Sequence, residues 1–337
     1  MKKTLIIAEV GVNHNGNLDN AKRLIYEAAK CGADIVKFQT FKTEELATSL
    51  AKRADYQIQN SINESNFQKE MLLALELKYE DHIILLEECK KNNIEFLSTA
   101  FDIESLRMLI NLGIKRVKIP SGEITNLPYL REISKFNLPI ILSTGMADLN
   151  ETNQALKILS KNRRERNSIT VLHCTSEYPA PFKNVNLRAM NNLKNSLKVE
   201  VGYSDHTLGT EVAIAAVSMG AIIIEKHITL DKNQPGPDHK SSLEPSEFKK
   251  MVRGIRIIEE SLGSDIKKPS RNELANSLLV RKSIVASRKI KLGEIFSSDN
   301  LTCKRPFNGI SPMYWDELIG KKSDKEYEKD ECIKSFL

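Results

Sequence analysis

The feature that most constrains the fold is a series of eight short apolar runs, most of them followed by an amphipathic stretch. The runs are rich in Val, Ile and Leu, and most do not alternate with polar residues. This pattern is typical of strands that are buried on both faces of a parallel sheet. The runs occupy residues 5–8, 35–38, 96–98, 117–119, 140–142, 170–172, 199–201 and 222–224.

The stretches between the runs have the spacing of helices with one apolar face. They include residues 19–31, 80–92, 104–112 and 210–219, and a glycine follows several of them, as is common at helix C-termini. Eight strand–helix units predict an α/β fold, a TIM (β/α)8 barrel, over residues 1–263. A doubly wound open sheet is the alternative, but the even spacing and the lack of GxGxxG after the first run favour the barrel.

One interval breaks this rhythm, between the second and third runs. Residues 40–71 are polar and poor in glycine. A long insertion after a barrel strand lies at the catalytic end and can act as a lid. A helical excursion over the surface explains the same pattern equally well.

The pattern changes after Gly263. Residues 264–280 are mostly polar and contain Pro269, which indicates a linker. Residues 281–337 then show short strand-like segments with turns, at 283–286, 291–294 and 300–304, and predict a small second domain. A domain of this size has a marginal core, so we expect it to pack against the barrel or a second chain.

Charge and cysteine content narrow the class of function. The net charge of +6 suits anionic small substrates and is too diffuse for a nucleic-acid partner. No stretch approaches the roughly 20 apolar residues of a membrane span. The five cysteines include no CxxC pair, which favours reduced thiols in a cytoplasmic protein over a disulfide framework.

Polar and ionisable residues follow all eight runs. In a TIM barrel these positions lie at the end of the barrel that carries the chemistry. Glu9, Lys37 and Lys118 even lie within or directly after apolar strands, where an unpaired charge is costly or shifts its pKa. A structural ion pair explains any one of these residues equally well, but the pattern at every strand end predicts an active site.

Three groups of these residues point to particular chemistry. His206 and His227 follow neighbouring strands, so their imidazoles can converge on a divalent metal, although a lone histidine is more often a core residue. The second group combines two lysines with hydroxyls and predicts a site for phosphate and carboxylate: Lys37, Lys118, Thr99, Ser121, Ser143 and Ser204. Either lysine could instead form a Schiff base, as in a class I aldolase.

The third group consists of carboxylates that can bind sugar hydroxyls or move a proton, namely Glu9, Glu123 and Asp238. Asp238 lies in the segment QPGPDH, residues 234–239, which a stiff turn explains as well.

These residues fall in motifs that resemble the sialic acid synthase family. The resemblance covers nearly the whole chain, and the tail, residues 281–312, resembles the family's antifreeze-like (SAF) domain. The matching stretches are IAEVGVNHNG (7–16), VKFQ (36–39), STAFD (98–102), KIPSGE (118–123), LSTGM (142–146), LHCTSEYPAP (172–181), GYSDHT (202–207), EKHITLD (225–231) and GPDHKSSLEP (236–245).

The resemblance implies a TIM barrel joined to a small SAF domain, assembled as a domain-swapped homodimer. It implies a transferase that condenses phosphoenolpyruvate with an open-chain N-acetylmannosamine-type sugar and releases phosphate, with Mn²⁺ or Mg²⁺ as cofactor. In that reaction the metal polarises the aldehyde, the enol carbon attacks it, water adds, and phosphate leaves by carbon–oxygen cleavage.

The same resemblance implies a role for each matching position. His206 and His227 would bind the metal, and Glu9, Lys37 and Glu123 would be the catalytic residues. Phosphoenolpyruvate would lie on Thr99, Lys118, Ser121, Ser143 and Ser204. The sugar would be held by Gln39, Glu123, Tyr178, Asp238 and Arg305, the last reaching across the dimer to the N-acetyl group.

Two positions depart from a common family pattern and bear on the acceptor. Ser176 stands where some members have asparagine, and Ala100 stands where many have proline. STAFD (98–102), KIPSGEITNLPYL (118–130) and LSTGMADL (142–149) resemble the legionaminic acid branch, which implies 2,4-diacetamido-2,4,6-trideoxymannose as acceptor. N-acetylmannosamine, the acceptor of an N-acetylneuraminate synthase, is the alternative.

Two other classes of function compete with the synthase. One is a class I aldolase that uses Lys118 or Lys37. The other is a catalytically inactive carbohydrate-binding protein, which the antifreeze-like tail suggests. The intact set of ionisable residues at the barrel mouth argues against it, because a binding protein does not need convergent metal and phosphate sites.

Overall fold

The computed structural model describes residues 3–60, 67–161 and 168–335, which divide into two compact units, Met1–Gly263 and Ser264–Leu337. In the described part of the first unit, eight parallel strands form a closed barrel in chain order. They are β1 (Leu5–Gly11), β2 (Ile35–Thr40), β3 (Glu95–Ala100), β4 (Val117–Ile119), β5 (Ile140–Ser143), β6 (Ile169–Cys174), β7 (Glu200–Asp205) and β8 (Ile223–His227). The predicted barrel is confirmed, and each predicted run overlaps one strand.

Helices surround the barrel, and side-chain caps fix where several of them begin. The Asn17 side chain accepts a hydrogen bond from the Asn20 amide at 3.0 Å, and that of Asp102 accepts one from the Ser105 amide at 2.7 Å. The helices of this unit are α1 (Leu18–Lys30), α2 (Thr43–Leu46), α3 (Asp55–Gln59), α4 (Gln68–Leu73), α5 (Tyr79–Lys91), α6 (Ile103–Asn111), α7 (Leu127–Ile133), α8 (Leu149–Leu159), α9 (Ala189–Leu197), α10 (Glu211–Ser218) and α11 (Pro245–Leu262). Within the described ranges, no helix of the chain has the length and apolar character needed to cross a membrane.

Alternation along the strands produces two separate cores. Ile6 and Ala8 of β1 join the large core beneath the helices, whereas Ile7 belongs to a small cluster inside the barrel. This inner apolar cluster contains Ile7, Ile35, Leu97, Ile141, Leu172 and Ile223. Two residues further along the same strands, the inward positions are polar: Glu9, Lys37, Thr99, Ser143, Cys174 and Glu225. The barrel therefore holds a polar layer directly above an apolar one.

The insertion after β2 is helical in its described parts. It contains α2 and α3, and α4 begins within it, while residues 61–66 lie outside the described ranges. Phe41, Met71 and Leu75 pack with Val12, which follows β1, in a small buried apolar cluster. The insertion therefore packs against the catalytic end of the barrel.

The second unit contains α12 (Arg271–Val280), β9 (Ser283–Ala286), β10 (Leu301–Lys304) and α13 (Trp315–Leu318). β9 and β10 form an antiparallel pair, and residues such as Ile284, Phe296 and Tyr327 form the core. Residues 291–294, which the sequence analysis grouped with the strand-like segments, form a turn in which Gly293 has a φ of 79°. Much of the predicted linker is the helix α12.

The inner apolar cluster predicts a clear difference between two leucine truncations. Leu172 is 0% exposed and Leu50 is 80% exposed. We expect Leu172→Ala to lower the free energy of unfolding by about 2–5 kcal/mol, because it leaves a cavity inside the barrel. Leu50→Ala is the matched control and should change it by less than about 0.5 kcal/mol. Urea denaturation measures both, and equal effects would contradict the proposed layering.

Candidate functional site

A cavity of about 430 Å³ opens at the C-terminal ends of the barrel strands. Its volume lies in the range that is common for small-molecule sites. The structure brings most of the predicted site residues together in its lining: Glu9, Lys37, Gln39, Thr99, Lys118, Ser121, Ser143, Tyr178, Ser204, His206 and His227. The closed barrel explains this convergence, because neighbouring strands end at the same rim.

Four charged side chains at the base of this cavity form what we call the charge cluster, namely Glu9, Lys37, Lys118 and Glu225. Each is at most 5% exposed. The Lys37 ammonium lies 2.5 Å from Glu9 Oε2 and 3.8 Å from Glu225 Oε2. The Lys118 ammonium donates to Glu225 Oε1 at 3.1 Å. Glu225 is thus shared by both lysines.

The two carboxylates of the charge cluster have opposite proton affinities. Burial alone would raise the pKa of Glu225, but Lys118 and Lys37 outweigh it and lower that pKa to about 2. Burial raises the pKa of Glu9 to about 7, because the attraction of Lys37 does not fully offset it. Glu225 therefore stays ionised, whereas Glu9 can exchange a proton near neutral pH.

The two lysines also differ. Burial lowers the pKa of Lys118 despite its contact with Glu225. Burial opposes the charge on Lys37 as well, but Glu225 and Glu9 outweigh it and raise its pKa. Lys37 is therefore a fixed positive charge, held between two carboxylates.

Hydroxyl groups surround the charge cluster. Thr99 Oγ1 accepts a hydrogen bond from Lys37 at 2.9 Å, and Ser204 Oγ donates one to Glu225 at 3.1 Å. Ser143 Oγ is buried and has no hydrogen-bond partner among the described residues. Since a buried polar atom normally has a partner, Ser143 is suited to bind a ligand.

Gly145 allows two serines to approach the backbone at the rim. Its amide donates to Ser121 Oγ at 2.9 Å. A Cβ at this position would lie 2.1 Å from Ser176 Oγ and 2.8 Å from Ser121 Oγ. Glycine is therefore required if Ser121 and Ser176 are to keep their positions.

His206 and His227 lie side by side, with ring centroids 5.6 Å apart. His206 Nδ1 lies 2.7 Å from the Thr175 carbonyl oxygen, which can only accept, so Nδ1 carries the proton and Nε2 is free to bind a metal. His227 Nδ1 is buried without a hydrogen-bond partner in the described ranges. Burial lowers the pKa of both histidines, so both imidazoles are neutral.

This pair fits a divalent ion that takes its other ligands from water or substrate. Among the described residues, no group of three or more His, Cys, Asp or Glu side chains is arranged to hold a metal. The two histidines would therefore leave several coordination positions open.

Three predicted site residues lie elsewhere. Asp238 is buried in an adjoining cavity, 3.9 Å from His227, and burial raises its pKa to about 6. Glu123 is not among the described residues that line the main cavity, and its Oε2 accepts a hydrogen bond from Asn126 at 2.6 Å. Arg305 is exposed and follows β10 in the second unit.

Glu225 is the residue whose role the sequence analysis missed. It lies in the run of charges 225–227, where the sequence analysis did not separate inward from outward side chains. Alternation from Ile223 would have placed Glu225 and His227 on the inside. Lys226 instead pairs with Asp205 at 2.8 Å, and both are fully buried.

Comparison with known proteins agrees with this geometry. The sequence matches the NeuB family over residues 24–267 and the SAF domain over residues 281–334. N,N'-diacetyllegionaminic acid synthase of Campylobacter jejuni is 56% identical, covering 99% of this chain and 100% of the relative. The enzyme of the same name from Legionella pneumophila is 50% identical, covering 94% and 89%.

A solved structure also matches. N-acetylneuraminic acid synthetase from Leptospira borgpetersenii superposes with a TM-score of 0.72 at 34% identity, covering 82% of this chain and 90% of that one. The family resemblance expected from the motifs is confirmed. This chain is an enzyme of the NeuB family, with a C-terminal SAF domain.

Proposed function

We propose that this chain is an N,N'-diacetyllegionaminic acid synthase. It would condense phosphoenolpyruvate with 2,4-diacetamido-2,4,6-trideoxymannose and release phosphate. The observation that carries this proposal is the meeting of two lysines, several hydroxyls and two neutral imidazoles in one cavity. The identity to two relatives of that name over nearly the whole chain supports this acceptor. N-acetylneuraminate synthase is the alternative.

The charge cluster and its hydroxyls would hold phosphoenolpyruvate. Lys118 and Lys37 supply positive charge, while Thr99 and Ser204 already lie within hydrogen-bond distance of the cluster. Ser143 has an unused hydroxyl, and Ser121 lies beside the Gly145 amide. Fixed donors in a buried site bind a multiply charged anion well, because little reorganisation is needed.

The condensation requires one proton to reach the aldehyde oxygen and another to leave the attacking water. The enol carbon of phosphoenolpyruvate forms the new carbon–carbon bond, and water adds to its neighbouring carbon. The bond from that carbon to the phosphate oxygen then breaks, and the hydroxyl proton leaves with phosphate. Glu9 is buried at the base of the cavity with a pKa of about 7, which suits proton transfer in both directions.

A divalent metal, Mn²⁺ or Mg²⁺, would be held by His206 and His227. When bound, such an ion polarises a carbonyl group. The protein contributes the neutral state of both imidazoles and the Thr175 carbonyl that orients His206. Asp238 lies beside His227 and would contact a sugar hydroxyl.

The sugar would lie on the rim, where Gln39 and Tyr178 line the cavity. The Tyr178 ring lies 4.2 Å from the His206 ring, measured between centroids. Glu123 is also a proposed sugar ligand. To bind the sugar, its carboxylate would have to release the hydrogen bond that it accepts from Asn126.

We also propose the domain-swapped homodimer, with Arg305 acting in the partner's site. Helix α12 supports an interface, since Leu274, Leu278 and Leu279 are 54%, 55% and 68% exposed. Several exposed leucines on one helix are typical of a surface that another chain covers. The five free cysteines agree with a place in the reducing cytoplasm.

Phosphate release is the direct test of the activity. With phosphoenolpyruvate and Mn²⁺, we expect release with 2,4-diacetamido-2,4,6-trideoxymannose to exceed that with N-acetylmannosamine by about tenfold or more in kcat/KM. A chelator should abolish release, and added Mn²⁺ should restore it. The reverse acceptor preference would indicate an N-acetylneuraminate synthase. Turnover that resists chelation and is trapped by borohydride would indicate a Schiff-base lysine.

Glu225→Gln tests the charge cluster without relying on activity. The change leaves Lys118 without its carboxylate, so the free energy of unfolding should fall by about 3–5 kcal/mol. Lys118→Met should have a comparable effect, and the double variant should lose clearly less than the sum. Glu200→Gln, an exposed position at the start of β7, is the control and should be nearly neutral. Additive losses would mean that the two residues do not interact.

Arg305→Ala tests the proposed dimer. The acceptor KM should rise by about 10- to 100-fold, because a charged hydrogen bond is lost, while the KM of phosphoenolpyruvate should not change. Arg281→Ala, another exposed arginine of the second unit, is the control.

Mixing the variants shows which chain supplies the residue. At acceptor concentrations well below the raised KM, Arg305→Ala and Glu9→Gln are each expected to show little activity. If Arg305 acts across the dimer, co-expressed chains regain activity, because one site of each heterodimer is intact. Activity that stays absent in isolated heterodimers would place Arg305 in its own chain's site.

A further inference from the structure

A second cavity, of about 260 Å³, adjoins the main one, and we call it the side pocket. The two cavities share part of their lining and are therefore adjacent. The shared residues are Gln39, Gln57, Gln68, Phe101, Tyr178 and His227. A ligand that contacts Tyr178 and His227 in the main cavity therefore lies next to the side pocket.

One wall of the side pocket is apolar. Val12, Phe41, Met71 and Leu75 are at most 8% exposed and pack as one cluster. Phe101 stands edge-on to Phe41, with ring centroids 6.2 Å apart. Three separate segments build this wall, so it is a packed surface and not a single exposed side chain.

Leu72 lines this wall from helix α4. It is partly buried and packs against the cluster, whereas its neighbour Leu73 is 54% exposed. Helix α4 belongs mainly to the insertion after β2, so the apolar wall is a product of that insertion.

The glutamines of the side pocket already have hydrogen bonds. The Gln68 amide donates to the Lys52 carbonyl at 2.9 Å, and Gln57 Oε1 accepts from the Ala54 amide at 3.0 Å. Asp238 lines another part of the side pocket, but the side chains of the apolar wall carry no polar atom. A ligand hydroxyl that pointed at this wall would lose its water and would find no partner on the wall itself. Such a loss is unfavourable for the ligand.

We infer that the side pocket binds the C6 methyl group of a 6-deoxy acceptor and that Leu72, with its apolar neighbours, determines this specificity. This inference rests on the proposed synthase activity and goes further, because it names the part of the sugar that the chain reads. In N-acetylmannosamine, C6 carries a hydroxyl group and is not a methyl group. The 4-acetamido group is not needed for this discrimination.

Two acceptors that differ only at C6 test the inference. They are 2,4-diacetamido-2,4,6-trideoxymannose and its 6-hydroxy counterpart, 2,4-diacetamido-2,4-dideoxymannose. The unmodified enzyme should favour the 6-deoxy sugar by about 10-fold or more in kcat/KM, as is usual for a single group in an apolar pocket. Phosphate release measures both rates.

Leu72→Gln should bring this ratio close to one, because the amide can hydrogen-bond the 6-hydroxyl, and should leave the KM of phosphoenolpyruvate unchanged. Leu73→Gln is the matched control and should keep the ratio of the unmodified enzyme. Val12→Thr adds a hydroxyl to the same wall at nearly constant volume and should lower the ratio too. It decides the question if Leu72→Gln does not fold.

Each outcome separates the inference from the activity on which it rests. Equal rates for the two sugars in the unmodified enzyme, or an unchanged ratio in the folded wall variant, would overturn the role of the side pocket while leaving the synthase intact. Absence of phosphate release with any of the acceptors would overturn the proposed activity itself.

Discussion

The shared carboxylate of Glu225 is the interaction on which the site depends. Two ammonium groups inside a barrel would repel each other and would each lose their water. Glu225 lies 3.1 Å from Lys118 and 3.8 Å from Lys37, so one buried carboxylate attracts both ammonium groups and holds them in place. The second carboxylate, Glu9, completes the balance and is the one whose proton can move near neutral pH. In the proposed function, the same four side chains would contribute both to anion binding and to proton transfer.

The layered interior of the barrel supports these buried charges. Beneath the charge cluster, apolar inward side chains such as Ile7 and Leu97 pack together inside the barrel. Closure between β1 and β8 pairs Glu9 with His227 in register, so the proton-transfer group and the proposed metal site are fixed relative to each other. A structure held by eight paired strands positions catalytic groups more precisely than a loop could.

The fold and most of the cavity were predictable, for physical reasons. Strands such as 35–38 read as continuous apolar runs because helices cover their outer face, and the barrel topology then brings the strand ends together. The role of Glu225 was harder to predict, since it stands next to Lys226, a buried charge that pairs with Asp205 instead. Glu123 shows a second limit: a residue just beyond a strand end can turn away, and Glu123 does so by bonding to Asn126. Whether such a side chain faces the cavity depends on the register of the strand and on the path of the turn that follows it.

The position of the insertion after β2 would allow acceptor choice to vary separately from the chemistry in this fold. The charge cluster and the histidine pair are built from strands and strand ends, which the barrel fixes. The apolar wall comes from Phe41, Met71 and Leu72, which follow β2 and precede α5, together with loop residues after β1 and β3. On the proposal made above, changes in this segment would alter the shape and polarity beside Tyr178 and His227 without moving Lys118 or Glu225. A barrel of this kind can therefore keep one condensation reaction while its longest loop determines which sugar reaches the reacting carbon.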